Sequence, residues 1–224
     1  MKHVFLDFEM NALADQYKKE QKICRMEIIE IGAVMLDEQF REVDSFKCYV
    51  KPEYNDVIIG RYTDLTGITT SMVTEAEHFA EAFSKFIDWC ESYEEEYRIY
   101  AWSDNDLRQL RSELKLKEIP ISQQMQFMME HWEDYQKTFG ILIGWKHPIS
   151  LERALGATGM KFEGQQHDAL CDARNTAELF IMAQDKELFA KKMKPIIDAL
   201  KPSEPTTYAL GDIFNFNQLE ETTR

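Results

Sequence analysis

The chain has 224 residues, of which 44% are hydrophobic, and carries a formal net charge of −14 at pH 7. This length supports one hydrophobic core with a short appendage, so we expect one domain over residues 1–185 and a C-terminal helix with a polar tail over residues 186–224. Long apolar runs, paired CxxC cysteines and a leader sequence are all missing, which makes a membrane span, structural zinc and secretion unexpected and predicts a cytoplasmic protein.

The strong negative charge argues against a broad basic surface that grips long nucleic acid. The objection weakens if some of the acids hold divalent cations, because the ions reverse the local field. Two basic segments remain available for anions, although a solvated face is the simpler interpretation of each. These segments contain Lys18, Lys19, Lys22 and Arg25 in the first, and Lys186, Lys191, Lys192 and Lys194 in the second.

Three strands are predicted at the start of the chain. Alternating and continuous apolar residues place them over residues 2–8, 27–36 and 43–50, with Pro52 closing the third. The polar connection from residue 11 to residue 25 is longer than a hairpin loop needs to be, so it is a candidate functional loop.

The middle of the chain alternates helices with short strands. Thr74 is expected to cap an amphipathic helix that runs to Cys90. Residues 97–102 read as a buried strand, followed by a turn at 103–106 and a helix over 107–116. For residues 125–139 the pattern is ambiguous, and we expect a strand and then a helix.

Ser150 is expected to cap a short helix, and His167 to begin a longer one that ends at Gln184. A further helix should end near Leu200, before a tail that could dock through Tyr208, Leu210, Ile213 and Phe214. Three early strands can form a meander, whereas the later strands need helical crossovers. The order therefore predicts an α/β fold with one mixed sheet flanked by helices.

The first candidate functional residues are Asp7 and Glu9, at the end of an otherwise apolar strand. A strand's period of two places both carboxylates on one face, where they repel each other unless a cation or a proton lies between them. The alternative is that both acids face solvent or pair with Lys2 or Arg25.

The second candidate is Asp106, which follows the buried strand over residues 97–102 and opens the next helix. Asp104 lies two residues earlier and has the character of a turn or cap residue. Acids at helix N-termini also stabilise the helix dipole, which is the alternative explanation for both.

The third candidate is the pair His167 and Asp172, five residues apart at the start of a helix. A histidine there can stay mobile and act as a base beside a fixed acid one turn further on. An ordinary helix with early acids explains the segment equally well on its own.

Taken in order, these residues resemble the DEDDh family of 3′→5′ exonucleases. The matching motifs are DFE at residues 7–9, WSDNDLRQL around Asp106 and HDALCDA at residues 167–173; FKCYVKP at 46–52 and LTGIT at 65–69 are also similar to that family. The resemblance covers about residues 2–185 and is greatest to the Eri-type branch, which acts on RNA.

The resemblance implies a ribonuclease H-like fold with a five-stranded mixed sheet. It also implies that Asp7, Glu9, Asp106 and Asp172 bind two divalent cations, Mg²⁺ or Mn²⁺, while His167 acts as general base. The implied partner is a nucleic acid 3′ end, with RNA favoured over DNA, and the implied product is a nucleoside 5′-monophosphate.

The resemblance further implies substrate contacts at Phe8 and Met10, for which core packing is the alternative at Phe8. The sequence departs from the family at Met10-Asn11, where a small residue and Thr are frequent, and at Trp102, where the DNA-proofreading branch has Asn. Both departures affect the expected substrate preference.

Two other functions remain open at this point. A catalytically silent ribonuclease H-like module could bind a protein or RNA partner, and a different two-metal nuclease or phosphatase could use similar acids. The completeness of the acid and histidine set favours the exonuclease.

Overall fold

In the computed structural model, residues 1–55 and 57–200 are described, the last five of them as helical backbone only. They contain one five-stranded sheet in the order β3-β2-β1-β4-β5. The strands are β1 (Lys2–Ala12), β2 (Met26–Leu36), β3 (Glu42–Tyr49), β4 (Tyr97–Ala101) and β5 (Trp132–Asp134). The first three strands pair antiparallel, while β4 pairs parallel with both β1 and β5. The predicted mixed α/β sheet is thus confirmed.

Nine α-helices lie in the same described ranges and cover both faces of the sheet. They are α1 (Gly60–Thr66), α2 (Thr70–Val73), α3 (Phe79–Glu91), α4 (Asn105–Leu116), α5 (Gln123–Glu130), α6 (Tyr135–Leu142), α7 (Leu151–Thr158), α8 (Ala169–Gln184) and α9 (Lys186–Leu200). None of the described helices is both long and apolar enough to cross a membrane.

The alternation of β1 divides the core into two layers. Val4, Leu6 and Phe8 point into the layer formed with α3, α4 and α5, whereas Phe5 points into the layer formed with α6, α7 and α8. Since side chains alternate along a strand, Asp7 and Glu9 lie on the Phe5 side of the sheet, where α8 packs. The strand itself therefore turns the two acids towards α8.

Three of the predicted elements were wrong in position. Thr74 does not cap α3; it ends α2, and His78 is the N-cap of α3. Residues 123–130 form a helix where a strand was expected; the strand is the short β5 that comes after it, and the expected following helix is α6. The side chain of Ser122 caps the helix over residues 123–130, a signal that outweighs the apolar run on which the strand was predicted.

The third correction concerns His167, which does not begin α8. Asp168 is the N-cap, its side chain accepts from the backbone N–H of Cys171, and His167 precedes it with a left-handed φ of 61°. By contrast, the predicted caps and ends at Ser150 and Leu200 agree with α7 and α9. The predicted tail after Leu200 lies outside the described residues.

Candidate active site

Four carboxylates from three elements converge beside the middle of β1, just beyond its pairing with β4. Asp7 and Glu9 lie on β1, Asp106 lies in the first turn of α4, and Asp172 lies in the first turn of α8. The convergence follows from topology, because α4 starts directly after β4, which runs parallel to β1. All four acids expected from the sequence are brought together.

Two backbone hydrogen bonds hold the two helical acids in place. The N–H of Phe8 donates to Oδ1 of Asp106 at 3.2 Å, and the N–H of His167 donates to Oδ2 of Asp172 at 3.2 Å. Asp106 and Glu9 are almost fully buried, with 6% and 7% of their surface exposed. In contrast, Asp104 caps α4 and pairs with Arg108, which distinguishes it from Asp106.

The surroundings of the four acids disfavour the charged forms of their carboxyl groups. Burial, reinforced by the charges of neighbouring carboxylates, raises the pKa of Asp7, Glu9, Asp106 and Asp172 above their usual range. Without a positive charge among them, the acids tend to retain protons near neutral pH. A bound cation removes this penalty, since it replaces the protons as the partner of the carboxylates.

The donor set determines which kind of cation fits. Ligand atoms of Glu9, His167 and Asp172 lie within 4.8 Å of one another, close enough to surround one ion. Carboxylate oxygens dominate the set, and hard divalent cations are the ions that prefer such ligands. The buried and mutually repelling acids therefore fit a divalent metal centre.

His167 faces solvent at the edge of the carboxylates. Its positive φ is uncommon for a residue with a side chain, and its ring lies beside Glu9 and Asp172. An exposed imidazole beside a buried acidic cluster can take a proton at the cluster and return it to water.

Glu30 is a buried fifth acid that the sequence analysis missed. It pairs directly across the strands with Glu9, and only 1% of its surface is exposed. One carboxylate oxygen accepts from the backbone N–H of Ala169 at 2.9 Å, and the other lies 3.0 Å from Nζ of Lys47. A glutamate within the apolar strand EIIEIGAVML was the available signal, because an acid is rarely buried there without a partner.

Lys47 neutralises this fifth acid and ties it to α8. Its Nζ contacts both Glu30 and Asp168, the N-cap of α8. Burial lowers the pKa of Lys47, but hydrogen bonds to Asp168 and Glu30 outweigh that effect and raise it overall. The ion pair thereby fixes the start of the helix that carries Asp172 and follows His167.

The two expected substrate contacts differ in the structure. The side chain of Phe8 lies in the core beside Trp132, and only 4% of its surface is exposed. The structure thus supports core packing at Phe8 because its neighbours leave no face for a ligand. Met10 is half-buried and lines a cavity with Asn105, immediately before Asp106.

A mixed five-stranded sheet of this order, with a cluster of carboxylates on its central strand, defines a ribonuclease H-like fold class. A family model described as Exonuclease (RNase_T) matches residues 4–180. The chain is 31% identical over 196 residues to ERI1 exoribonuclease 2 of Danio rerio, covering 79% of this chain and 34% of that protein. It is 30% identical over 171 residues to 3′-5′ exoribonuclease 1 of Rattus norvegicus, covering 71% of this chain and 47% of that protein.

A solved structure, the nuclease domain of 3′hExo, a DEDDh family member, bound to rAMP, superposes with a TM-score of 0.72 at 26% identity. The match covers 82% of this chain and 92% of that one. This chain therefore belongs to the DEDDh exonuclease family and to its Eri-type branch. It spans about a third of the length of the zebrafish relative and about half of the rat relative.

Proposed function

We propose that the protein is a metal-dependent 3′→5′ exonuclease that removes nucleoside 5′-monophosphates from the 3′ ends of RNA or single-stranded DNA. The observation that carries this proposal is the meeting of four carboxylates from β1, α4 and α8 with the His167 ring at their open edge. RNA is the favoured substrate, because the similar proteins of the zebrafish and the rat are named exoribonucleases.

Two Mg²⁺ or Mn²⁺ ions are the proposed cofactors, held by Asp7, Glu9, Asp106 and Asp172. When bound, such ions supply an activated water and stabilise charge on the leaving oxygen. His167 takes the proton of the attacking water, since its exposed ring lies beside Glu9 and Asp172. The remaining role of the protein is to exclude bulk water from the buried side of the acids.

The protein is proposed to act in the cytoplasm, on nucleic acid ends and without a membrane. Met10 is proposed to contact the terminal nucleotide, because it directly follows Glu9 and borders a cavity that Asn105, the neighbour of Asp106, also lines. The one-domain organisation over residues 1–185, with the C-terminal helix and tail as an appendage, also stays a prediction.

Matched single-stranded RNA and DNA, each labelled at its 5′ end, test the proposal in the presence of Mn²⁺. We expect a ladder of products shortened one nucleotide at a time, with mononucleotide release that is faster from RNA. Asp106→Asn should slow release by about a hundredfold or more, because it removes a cation ligand. Asp104→Asn, two residues away on the same turn, is the matched control and should retain activity.

Each alternative has its own outcome. Binding of the oligonucleotide without any release would support a catalytically silent module. Internal fragments would indicate an endonuclease, and free phosphate would indicate a phosphatase. Faster release from DNA than from RNA would contradict the proposed preference while leaving the exonuclease intact.

A further inference from the structure

Two adjoining cavities lie beside the connection between β1 and β2. One has a volume of about 470 Å³ and the other about 730 Å³. They share the lining residues Gln21, Lys22, Arg25 and Met26, and the two together are called the β1–β2 groove. Each cavity alone is large enough for a small ligand.

The groove is basic although the protein as a whole is acidic. Asp15 is the only acid among the described residues that line it, and its carboxylate is paired with Lys18 at 3.1 Å. The lining cations are Lys18, Lys22, Arg25, Arg61 and Arg108. A local positive field in a chain of net charge −14 attracts polyanions to this place and not to the rest of the surface.

Lys22, Arg25 and Arg61 are exposed and form no ion pair with any residue in the described ranges. The guanidinium of Arg61 already packs on the ring of Tyr62, whereas no such contact engages Lys22 or Arg25 among the described residues. Lys22 is the last residue of a short 3₁₀ turn over Glu20–Lys22, and Arg25 follows three residues later; backbone hydrogen bonds join this turn to Ile23 and Cys24. The charges of Lys22 and Arg25 are consequently available to a ligand.

The lining of the groove includes the chain neighbours of two of the carboxylates. Met10, which lines it, directly follows Glu9, and Asn105, which also lines it, directly precedes Asp106. A strand that runs from the carboxylates over Met10 and Asn105 reaches the basic lining of the groove. The groove therefore lies next to the place where the 3′ end is proposed to react.

The groove also offers surfaces on which bases can pack. Ile23 is 42% exposed, Met10 and Met26 are half-buried, and Tyr62 lies under the guanidinium of Arg61 at 4.7 Å. A mixture of cations and apolar or aromatic side chains is the combination with which proteins hold single strands without reading their sequence.

We propose that the β1–β2 groove binds the phosphates of the single strand on the 5′ side of the scissile bond, with Lys22 and Arg25 as its main anion contacts. This inference rests on the proposed exonuclease function and adds a binding surface for several nucleotides on the 5′ side of the reacting end. An acidic peptide is the competing occupant, and the position of the groove beside the residues that follow Glu9 and precede Asp106 favours the nucleic acid.

The double variant Lys22→Glu/Arg25→Glu tests the groove against a control with the same change in net charge. The control is Lys191→Glu/Lys192→Glu on α9, whose side chains are also exposed. For the groove variant we expect KM on a ten-nucleotide strand to rise roughly tenfold with little change in kcat. The salt dependence of kcat/KM should flatten by about 0.7 per lost phosphate contact in a double logarithmic plot.

The control variant should keep both the KM and the salt slope of the unchanged protein. A dinucleotide, which is too short to enter the groove, should be cleaved equally by both variants. The inference is overturned if the control shows the same loss, if the groove variant behaves like the unchanged protein, or if the dinucleotide suffers as much as the longer strand.

A binding measurement separates this inference from the proposed function. Fluorescence anisotropy of a labelled ten-nucleotide RNA or DNA in EDTA reports on the groove even if the unchanged protein releases no mononucleotides. Loss of binding in the groove variant alone supports the groove, and equal binding by all three proteins rejects it. If the double variant unfolds early, Lys22→Gln and Arg25→Gln are measured singly.

Discussion

Glu9→Gln should stabilise the protein when no metal is bound, although it removes a metal ligand. The glutamine keeps the shape of the side chain and removes its charge. The Glu9 carboxylate accepts no hydrogen bond from the described residues, so none is lost on substitution. The expected gain comes from relief of desolvation and of repulsion by the neighbouring acids.

The size of this gain follows from the titration of Glu9. Burial, together with the charges of Asp172, Glu30 and Asp106, raises the pKa of Glu9 to about 9 from an ordinary value of 4.5. A group with a raised pKa contributes stability that is complete below pH 4.5 and is lost as the pH rises through 9. From the ordinary pKa of 4.5 to pH 7 is about 2.5 pH units, and over this interval the carboxyl group is ionised in the unfolded chain but still protonated in the folded one. The free energy of unfolding at pH 7 should therefore be higher by about 3 kcal/mol with the neutral glutamine than with Glu9.

Urea unfolding in EDTA measures this difference in the free energy of unfolding directly. In thermal unfolding of a chain of this size, about 3 kcal/mol should appear as a rise in Tm of about 6–12 °C. The unchanged protein should also gain stability as the pH falls from 9 to 6, and the variant should respond less. Addition of Mn²⁺ should stabilise the unchanged protein much more than the variant.

Glu91→Gln, at an exposed position at the end of α3, is the control for a lost glutamate charge. It should change neither the stability in EDTA nor the response to Mn²⁺. If Glu9→Gln in EDTA at pH 7 is no more stable than the unchanged protein, the carboxylates do not repel one another in the metal-free protein as argued.

Three further predictions test the surroundings of the carboxylates. Lys47→Met leaves Glu30 and Asp168 without their cation and should lower the free energy of unfolding by roughly 1–3 kcal/mol and reduce kcat, whereas Lys47→Arg should restore both; unchanged unfolding in urea by Lys47→Met would contradict this. His167→Asn keeps a residue type that tolerates positive φ and should lower kcat by about 10²–10⁴ with little change in Tm, so near-normal mononucleotide release would exclude His167 as the base. Phe8→Leu should lower the free energy of unfolding by about 1 kcal/mol at constant KM, while Met10→Ala should raise KM at nearly constant stability; the reverse pattern would return Phe8 to the substrate side.

The predictable part of the site was set by strand period and chain order. Period two along β1 places Asp7 and Glu9 on one face, and a parallel β4 must bring the start of α4 to the same edge. These rules need no knowledge of side-chain contacts. Asp106, and not Asp104, was predicted as the ligand, and the structure places Asp106 beside β1, where it accepts a hydrogen bond from the N–H of Phe8.

The unpredictable part depended on contacts between distant segments. Glu30 and Lys47 become important only when β2, β3 and α8 are packed together, and no local pattern relates Lys47 to Asp168 across 121 residues. The displacement of His167 from α8 likewise follows from the cap at Asp168 and from its backbone bond to Asp172. Helical periodicity alone extends the helix to His167 because it cannot report a change in backbone conformation.

Gly32 allows α8 to pack closely against the sheet beside the carboxylates, although it supplies no ligand atom itself. It lies opposite Asp7 in the sheet, and a Cβ there would stand 2.2 Å from the backbone nitrogen of Leu170 and 2.3 Å from the carbonyl carbon of Ala169. Any side chain at this position would push the start of α8, and Asp172 with it, away from β1. The close β2–α8 contact therefore fixes the spacing between Asp172 and the two acids of β1, on which the fit of any cation held between them depends. A residue without a side chain thus determines how closely the carboxylates approach one another.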